Sequence, residues 1–209
     1  AHVSLFICRW LNNNYKMSDP PSIEEIVKWG YDEEFHFAEQ DEDLLLHSSE
    51  YVPVFIKLVN DPRCPKDYFS FSVLCEFTRD MFLNRNEKEI RDLKKVRDQT
   101  VKGKNSEYVK GWADYVERLY EYFYRLKPVD KVQAKNMAWD LLVGPSRVGN
   151  PSRPRLYGNV WEVKLKTSID EYLCIDKDDG TWAYSMFYPC VGKLKRVFGW
   201  FKAPWDRFW

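Results

Sequence analysis

Along residues 66–85, KDYFSFSVLCEFTRDMFLNR, the side chains of Phe71, Leu74, Cys75, Thr78, Met81 and Phe82 recur at spacings of three and four. That period puts them on one side of a helix, so a buried amphipathic helix is expected here. Upstream, Ser22 and Glu25 form an S-x-x-E pattern, which predicts a helix starting there and running through IEEIVKWGY. LLLHSSEYVPVFIKLVN (44–60) fits a second helix, broken near Pro53, and DPRCP (61–65) reads as a turn. NEKEIRDLKKVRDQ (86–99) predicts a highly charged, exposed helix. EYVKGWADYVERLYEYFYRLK (107–127) predicts a long aromatic-rich helix stopped by Pro128. VDKVQAKNMAWDLLVG (129–144) follows as another, with Gly144 as its C-cap. Two helices joined by a short Pro turn make an antiparallel hairpin.

GPSRVGNPSRP (144–154) is a loop by its Gly, Pro and Ser content. Beyond it the runs become short and rich in Val, Tyr, Phe and Trp: RLYGNVWEVKLK, EYLCID, WAYSMFYPC and KLKRVFGWFK. They predict an antiparallel meander of three or four strands, with RLYGNVWEVKLK as a central strand announced by a Gly-Asn turn. The fold class expected is α+β: an all-helical N-terminal region, then a helical hairpin packed on a small antiparallel sheet. Four regions are expected. Residues 1–17 read as an extension, because Met17 before SDPPSIEE resembles a natural start. Residues 18–100 form an acidic helical domain, 101–107 a polar linker, and 108–209 a basic α+β domain.

Charge sharpens this division. The 209 residues have zero formal net charge, yet residues 1–100 carry 13 Lys and Arg against 19 Asp and Glu, and residues 101–209 carry 19 against 13. An acidic half beside a basic half suits a charged partner, or two halves that face each other; chance variation among solvated faces is an equal reading. Hydrophobic residues at 44% and aromatics at 17% suffice for a real core. Five cysteines without C-x-x-C spacing speak against a disulfide framework or a zinc knuckle and suit buried thiols in a reducing compartment. Only three histidines occur, His2, His36 and His47, so no metal site or other cofactor is expected. No run approaches the roughly 18 apolar residues of a membrane span. A cytoplasmic protein without membrane contact is expected.

Alternation along β-type residues supplies the first candidate chemistry. Val160, Glu162, Lys164 and Lys166 share one face of their strand, and Trp161, Val163 and Leu165 share the other, which should pack on the helices. On the last strand Lys193, Lys195, Val197, Gly199 and Phe201 share one face and Leu194, Arg196, Phe198 and Trp200 the other. If neighbouring strands align, an open face collects Lys164, Lys166, Lys193 and Lys195, with Tyr184 or Tyr188 at its edge and Arg196 nearby. Such a surface suits a phosphate backbone. Lysines that merely keep a sheet face soluble are the simpler reading.

From 112 to 204 the order of features resembles the RelE/HigB-type toxin family of bacterial toxin–antitoxin pairs. The matching residues are Gly144, Gly149 and Pro151 in the loop; Leu156, Gly158, Trp161, Glu162 and Lys164 on the strand; Phe187 and Tyr188 on the next; and Gly199, Phe201, Lys202 and Pro204 at the end. The resemblance implies a small α+β domain that cuts messenger RNA without a metal, often on the ribosome. In that chemistry the ribose 2′-hydroxyl attacks the neighbouring phosphate, and basic or tyrosine side chains move protons and hold the developing charge. It implies Lys164 as the phosphate-stabilising residue, flanked by Tyr188 and Lys202. The sequence departs from the family in three places. Lys164 stands where the family has Arg, which forgoes bidentate phosphate binding. Tyr184-Ser185 replaces Tyr-Arg, and an acidic turn, Asp176–Gly180, is inserted.

The rival class is a non-catalytic protein-binding module, such as an immunity protein or an inhibitor of a toxin or enzyme. DEEFHFAEQDED (32–43) gathers Glu33, Glu34, Glu39, Asp41, Glu42 and Asp43 around two Phe rings, a match for a basic partner. A solvated helix end or loop is the plainer reading. A third possibility is self-masking, with the acidic half over the basic sheet as a fused antitoxin would be. The partners these readings imply are RNA or the ribosome, an antitoxin, or a toxin. Other enzyme signatures are absent from the sequence: no G-x-S-x-G, P-loop, H-E-x-x-H or dinucleotide fingerprint occurs. Cys75 or Cys174 as a nucleophile would lack a nearby His. The three tryptophans of GWFKAPWDRFW (199–209) either dock on the core or present an aromatic patch.

Overall fold

The computed structural model describes residues 21–32, 49–125, 127–166 and 170–186. The 1–17 extension, the acidic residues Glu33 to Asp43, and Tyr188, Lys193, Lys195, Arg196 and Lys202 lie outside the described residues. So do the last expected strand and the terminal tryptophans.

Among the described residues six α-helices precede a four-stranded antiparallel sheet, an α+β fold. Helix α1 (Ile23–Tyr31) starts where Ser22 and Glu25 predict. The Glu25 amide donates to Ser22 Oγ at 3.2 Å and the Ser22 amide to Glu25 Oε2 at 2.7 Å, closing a capping box. Pro53 does not break the next helix. A 3-10 turn (Ser49–Tyr51) leads into α2 (Val52–Asn60), and Pro53 sits in its first turn, where a missing N–H costs no hydrogen bond. Helix α3 (Asp67–Leu83) buries Phe71, Leu74, Cys75, Thr78 and Phe82 on the expected face. Helix α4 (Glu87–Thr100) is as charged as expected, yet Ile90 and Leu93 are completely buried and fasten it to the core.

Helix α5 (Glu107–Tyr124) buries Trp112, Tyr115, Val116 and Leu119 completely and ends before Pro128. Truncating one such Leu to Ala costs ~2–5 kcal/mol. Asp130 caps α6 (Lys131–Ala138) through a second capping box with Gln133. The helix expected to run to Gly144 instead widens into a π-helical turn over Trp139–Val143. The widening accompanies side-chain demands from α5: the Tyr115 hydroxyl donates to the Asp140 carbonyl at 2.8 Å, and Arg118 and Tyr122 donate to the Asp140 carboxylate.

RLYGNVWEVKLK is not one strand. It is a hairpin of β1 (Arg155–Tyr157) and β2 (Val160–Lys166), because Gly158 at φ 63° and Asn159 make a two-residue turn. Strands β3 (Asp170–Asp176) and β4 (Trp182–Met186) complete a meander in the order β1-β2-β3-β4, with β2 central as expected. The Trp161, Val163, Leu165 face packs toward the helices: α6 lies against β2 and the π turn against β3. Three hydrogen bonds tie the layers: Val129 amide to Lys177 carbonyl (2.8 Å), Trp161 Nε1 to Val129 carbonyl (2.9 Å) and Trp182 Nε1 to Tyr122 carbonyl (3.0 Å). Residues 101–106 turn between α4 and α5, and one cluster of buried side chains runs across that turn from Ile26 to Trp182. No helix among the described residues is long and apolar enough to cross a membrane.

Candidate functional site

The sequence points to the strand lysines. On β2 the face predicted to be polar carries Glu162, Lys164 and Lys166, in register with Cys174, Tyr172 and Asp170 of β3. Lys164 Nζ lies 2.5 Å from Asp170 Oδ2 and 5.3 Å from the centre of the Tyr172 ring. The carboxylate holds the Lys164 pKa above its ordinary value, and the ammonium holds that of Asp170 below its own. A phosphate at Lys164 therefore competes with Asp170 for the same charge. Lys166 is exposed. The middle of this face is not open: Val160, Tyr172 and Cys174 are all buried on it.

Tyr184, expected beside these lysines, stands on the opposite face. It pairs with Leu173, which pairs with Val163, and the two-residue alternation fixes all three toward the helices. Its hydroxyl donates to Glu171 Oε1 at 2.7 Å, and partial burial together with that carboxylate pushes its pKa up. Glu171 also faces Arg147 Nη1 at 3.7 Å, and Arg147 Nε lies 3.0 Å from Glu76 Oε2, which in turn meets Arg79 Nη2 at 2.7 Å. These side chains form a charge-balanced bridge between α3, the 144–154 loop and the sheet. The acidic Asp176–Gly180 turn is likewise self-occupied. Asp176 Oδ1 accepts the amides of Asp178 and Asp179, and Asn159 Nδ2 donates to Asp178 Oδ2 at 2.8 Å.

The second region was not legible as a site in the sequence. At one end of the helical bundle the C-termini of α1, α2 and α4 meet the N-termini of α3 and α5. Asn60 Nδ2 donates to Asn105 Oδ1 at 3.0 Å, the Ser106 amide donates to Asn60 Oδ1 at 2.8 Å, and Cys64 Sγ donates to the Gly30 carbonyl. Lys66 Nζ donates to the carbonyls of Trp29 and Asp32 and stands 4.9 Å over the Trp29 ring. On this frame Tyr68 and Tyr108 pack around Phe71, with ring centres 6.0 Å apart from each other and 6.3 and 5.0 Å from Phe71. Phe71 is buried, whereas the Tyr68 and Tyr108 side chains remain exposed. Nearby in the fold, Asp61 accepts Arg63 Nε and Nη2 in a two-point contact and the Tyr31 hydroxyl at 2.6 Å. These donors hold the Asp61 carboxyl well below the usual range, and the arginine itself projects into solvent.

The end is therefore a preorganised surface of tyrosine rings and one exposed arginine. It joins residues of the acidic half to Asn105, Ser106 and Tyr108 of the basic half, and in sequence the DEEFHFAEQDED run begins at Asp32, the C-cap of α1. Its sequence signal was weak. Tyr68 and Tyr108 belong to different helices 40 residues apart, and only the α3–α5 packing brings them together.

Neither the family models, the curated proteins nor the solved structures contain a match to this chain.

Proposed function

We infer that the chain is a non-catalytic binding module that docks a basic protein on the tyrosine-bearing end of its helical half. The observation that carries this reading is the Tyr68–Phe71–Tyr108 cluster, whose two outer rings are exposed while the inner one anchors them. Tyr and Arg are among the residues that contribute most at protein interfaces: a Tyr ring freezes few rotors on binding, and Arg63 is already held by Asp61. The partner's charge follows from the seven carboxylates at residues 32–43, which begin where α1 ends at this same surface. An immunity protein or an inhibitor is the class that fits.

The toxin-like endoribonuclease reading rests on the order of motifs after residue 112. It has Lys164 on a central strand in its favour and the Asp170 contact against it.

The test compares wild type with Tyr68→Ala/Tyr108→Ala, both checked for native circular dichroism, as baits against a bacterial lysate at low salt. A basic protein retained by wild type, lost by the variant and released by added salt supports the reading. Equal retention by both baits removes the tyrosine end. In a parallel assay with messenger RNA and ribosomes, cleavage abolished by Lys164→Ala with Lys202→Ala would favour the nuclease instead.

A further inference from the structure

A cleft of about 450 Å³ lies between the C-terminal half of α5, the segment that follows it, helix α6 and the β3–β4 turn. That volume falls within the roughly 300–1,000 Å³ of small-ligand sites. Its walls are built and held. Val129 is fixed by the Lys177 carbonyl and by Trp161, and Tyr122 by Trp182. Gly180 closes one side so tightly that a Cβ there would stand 2.3 Å from the Lys127 carbonyl oxygen.

The groups that converge on the cleft define a ligand. Arg118, Arg125 and Lys127 supply three cations against two carboxylates, Glu121, which accepts Arg125 Nη1 at 3.1 Å, and Asp140 beside Arg118. Asp140, offered by the π turn, accepts Arg118 Nε and Nη2 at 3.0 Å each and Tyr122 at 2.9 Å. It thereby orients the guanidinium and leaves Arg118 Nη1 without a hydrogen bond among the described residues. Lys127 and Asn136 likewise make no side-chain hydrogen bond among the described residues. Gln133 commits its oxygen to the Asp130 amide and keeps its NH₂ group uncommitted. Deeper in, Met137 and the buried Val129 join the Tyr122 ring to give a largely apolar wall.

We propose that this cleft binds a phosphate monoester carried on a planar ring. Arg118 Nη1, the remaining donors of Arg125 and the Lys127 ammonium suit a doubly charged phosphate at the mouth. The Met137 thioether and the Tyr122 ring suit a flat apolar body. The carboxamides of Gln133 and Asn136 present donors and an acceptor to the edge of that body, the pattern that reads a nucleobase. The volume suits one nucleotide-sized unit. This site lies apart from the tyrosine end and is independent of the protein-binding reading.

Calorimetric titration of the full chain at low salt tests it with four probes, AMP, phenyl phosphate, adenosine and inorganic phosphate, and AMP is repeated in high salt. Saturable binding of a ring-bearing phosphate is expected, with adenosine and inorganic phosphate at least about tenfold weaker and added salt weakening AMP. AMP tighter than phenyl phosphate supports the proposal and identifies a nucleotide; equal affinities support it and identify an aryl phosphate. Lys127→Ala and Asn136→Ala, both at exposed positions, should each weaken binding about tenfold, whereas Lys164→Ala should leave it unchanged. Inorganic phosphate binding as tightly as AMP, no saturable binding of any probe, or full binding by both cleft variants would overturn it.

Discussion

The guanidinium of Arg85 stacks 4.4 Å from the ring centre of Trp182 and donates to the carbonyl of the same residue. It thus joins the α3–α4 turn to strand β4. Phe123 flanks the guanidinium at 5.4 Å. Arg85 achieves this from a left-handed backbone at φ 54°, which disfavours any residue with a Cβ by ~1–2 kcal/mol. Burial lowers its pKa to about 10, so it remains charged at neutral pH.

Two opposed effects can therefore be separated by mutation. Arg85→Ala keeps the backbone cost and loses the stacking and the hydrogen bond, an expected destabilisation of about 2–3 kcal/mol. Arg85→Gly loses the same contacts but relaxes the backbone, so it should be about 1 kcal/mol more stable than the alanine variant. Urea denaturation midpoints test the order wild type, then Gly, then Ala. Alanine at or above glycine would show that the turn is not strained.

Arg147 makes a second long-range tie, between Glu76 of α3 and Glu171 of β3. Its removal leaves two largely buried carboxylates with Arg79 as the only nearby cation among the described residues. Arg147→Met is expected to destabilise by about 1–2 kcal/mol, less than a fully buried pair because Arg147 is more than a third exposed. Combining it with Glu76→Gln should recover part of that loss. Strict additivity in this double-mutant cycle would mean that the two side chains do not interact.

Local patterns carried well from sequence to fold. The Ser22–Glu25 capping box, the three- and four-residue spacing in α3 and the alternation of Trp161, Val163 and Leu165 each concern neighbours along the chain, and each predicts its element. Failures began where an answer depends on a distant partner. Tyr184 was placed with the lysines because nothing local fixes the β3–β4 register. Pairing with Leu173 fixes it, and every side chain then takes its face from that choice. The π turn answers to Tyr115, Arg118 and Tyr122 on another helix. The tyrosine end and the cleft are both assembled across elements, so their residues carry no motif. The cleft's nearest sequence trace is Arg118, Tyr122 and Arg125 at helical spacing along α5 and its C-cap.

Asp61 should make stability fall in acid. Hydrogen bonds from Arg63 and Tyr31 hold its folded pKa below the unfolded value of about 3.9. The unfolded chain therefore takes up the proton first as pH falls. The stabilisation is complete above about pH 5, declines below about pH 4 and vanishes under the folded pKa. The melting temperature of wild type should exceed that of Asp61→Asn at pH 7, and the gap should narrow steadily between pH 4 and pH 2. A gap that persists unchanged at pH 2 would mean that the carboxylate is not held by these donors.

The contact between the β3–β4 turn and the chain at Lys127 can be isolated with two glycines. Gly158 and Gly180 both have positive φ, 63° and 79°, so alanine meets a similar backbone cost at each, about 1 kcal/mol. Their surroundings differ. A Cβ at Gly158 meets nothing within 4 Å, whereas one at Gly180 falls 2.3 Å from the Lys127 carbonyl oxygen and 3.1 Å from its nitrogen. Backbone atoms cannot swing aside as a side chain can, so Gly180→Ala must push the turn off the 127–129 segment. That movement would strain the Val129–Lys177 hydrogen bond and reshape the cleft. Gly158→Ala should cost about 1 kcal/mol and Gly180→Ala at least about 2 kcal/mol more. Gly180→Ala should also lose whatever ligand affinity the cleft has. Equal losses from the two substitutions would mean that the turn does not rest on Lys127, and the cleft would then lack the wall that gives it its shape.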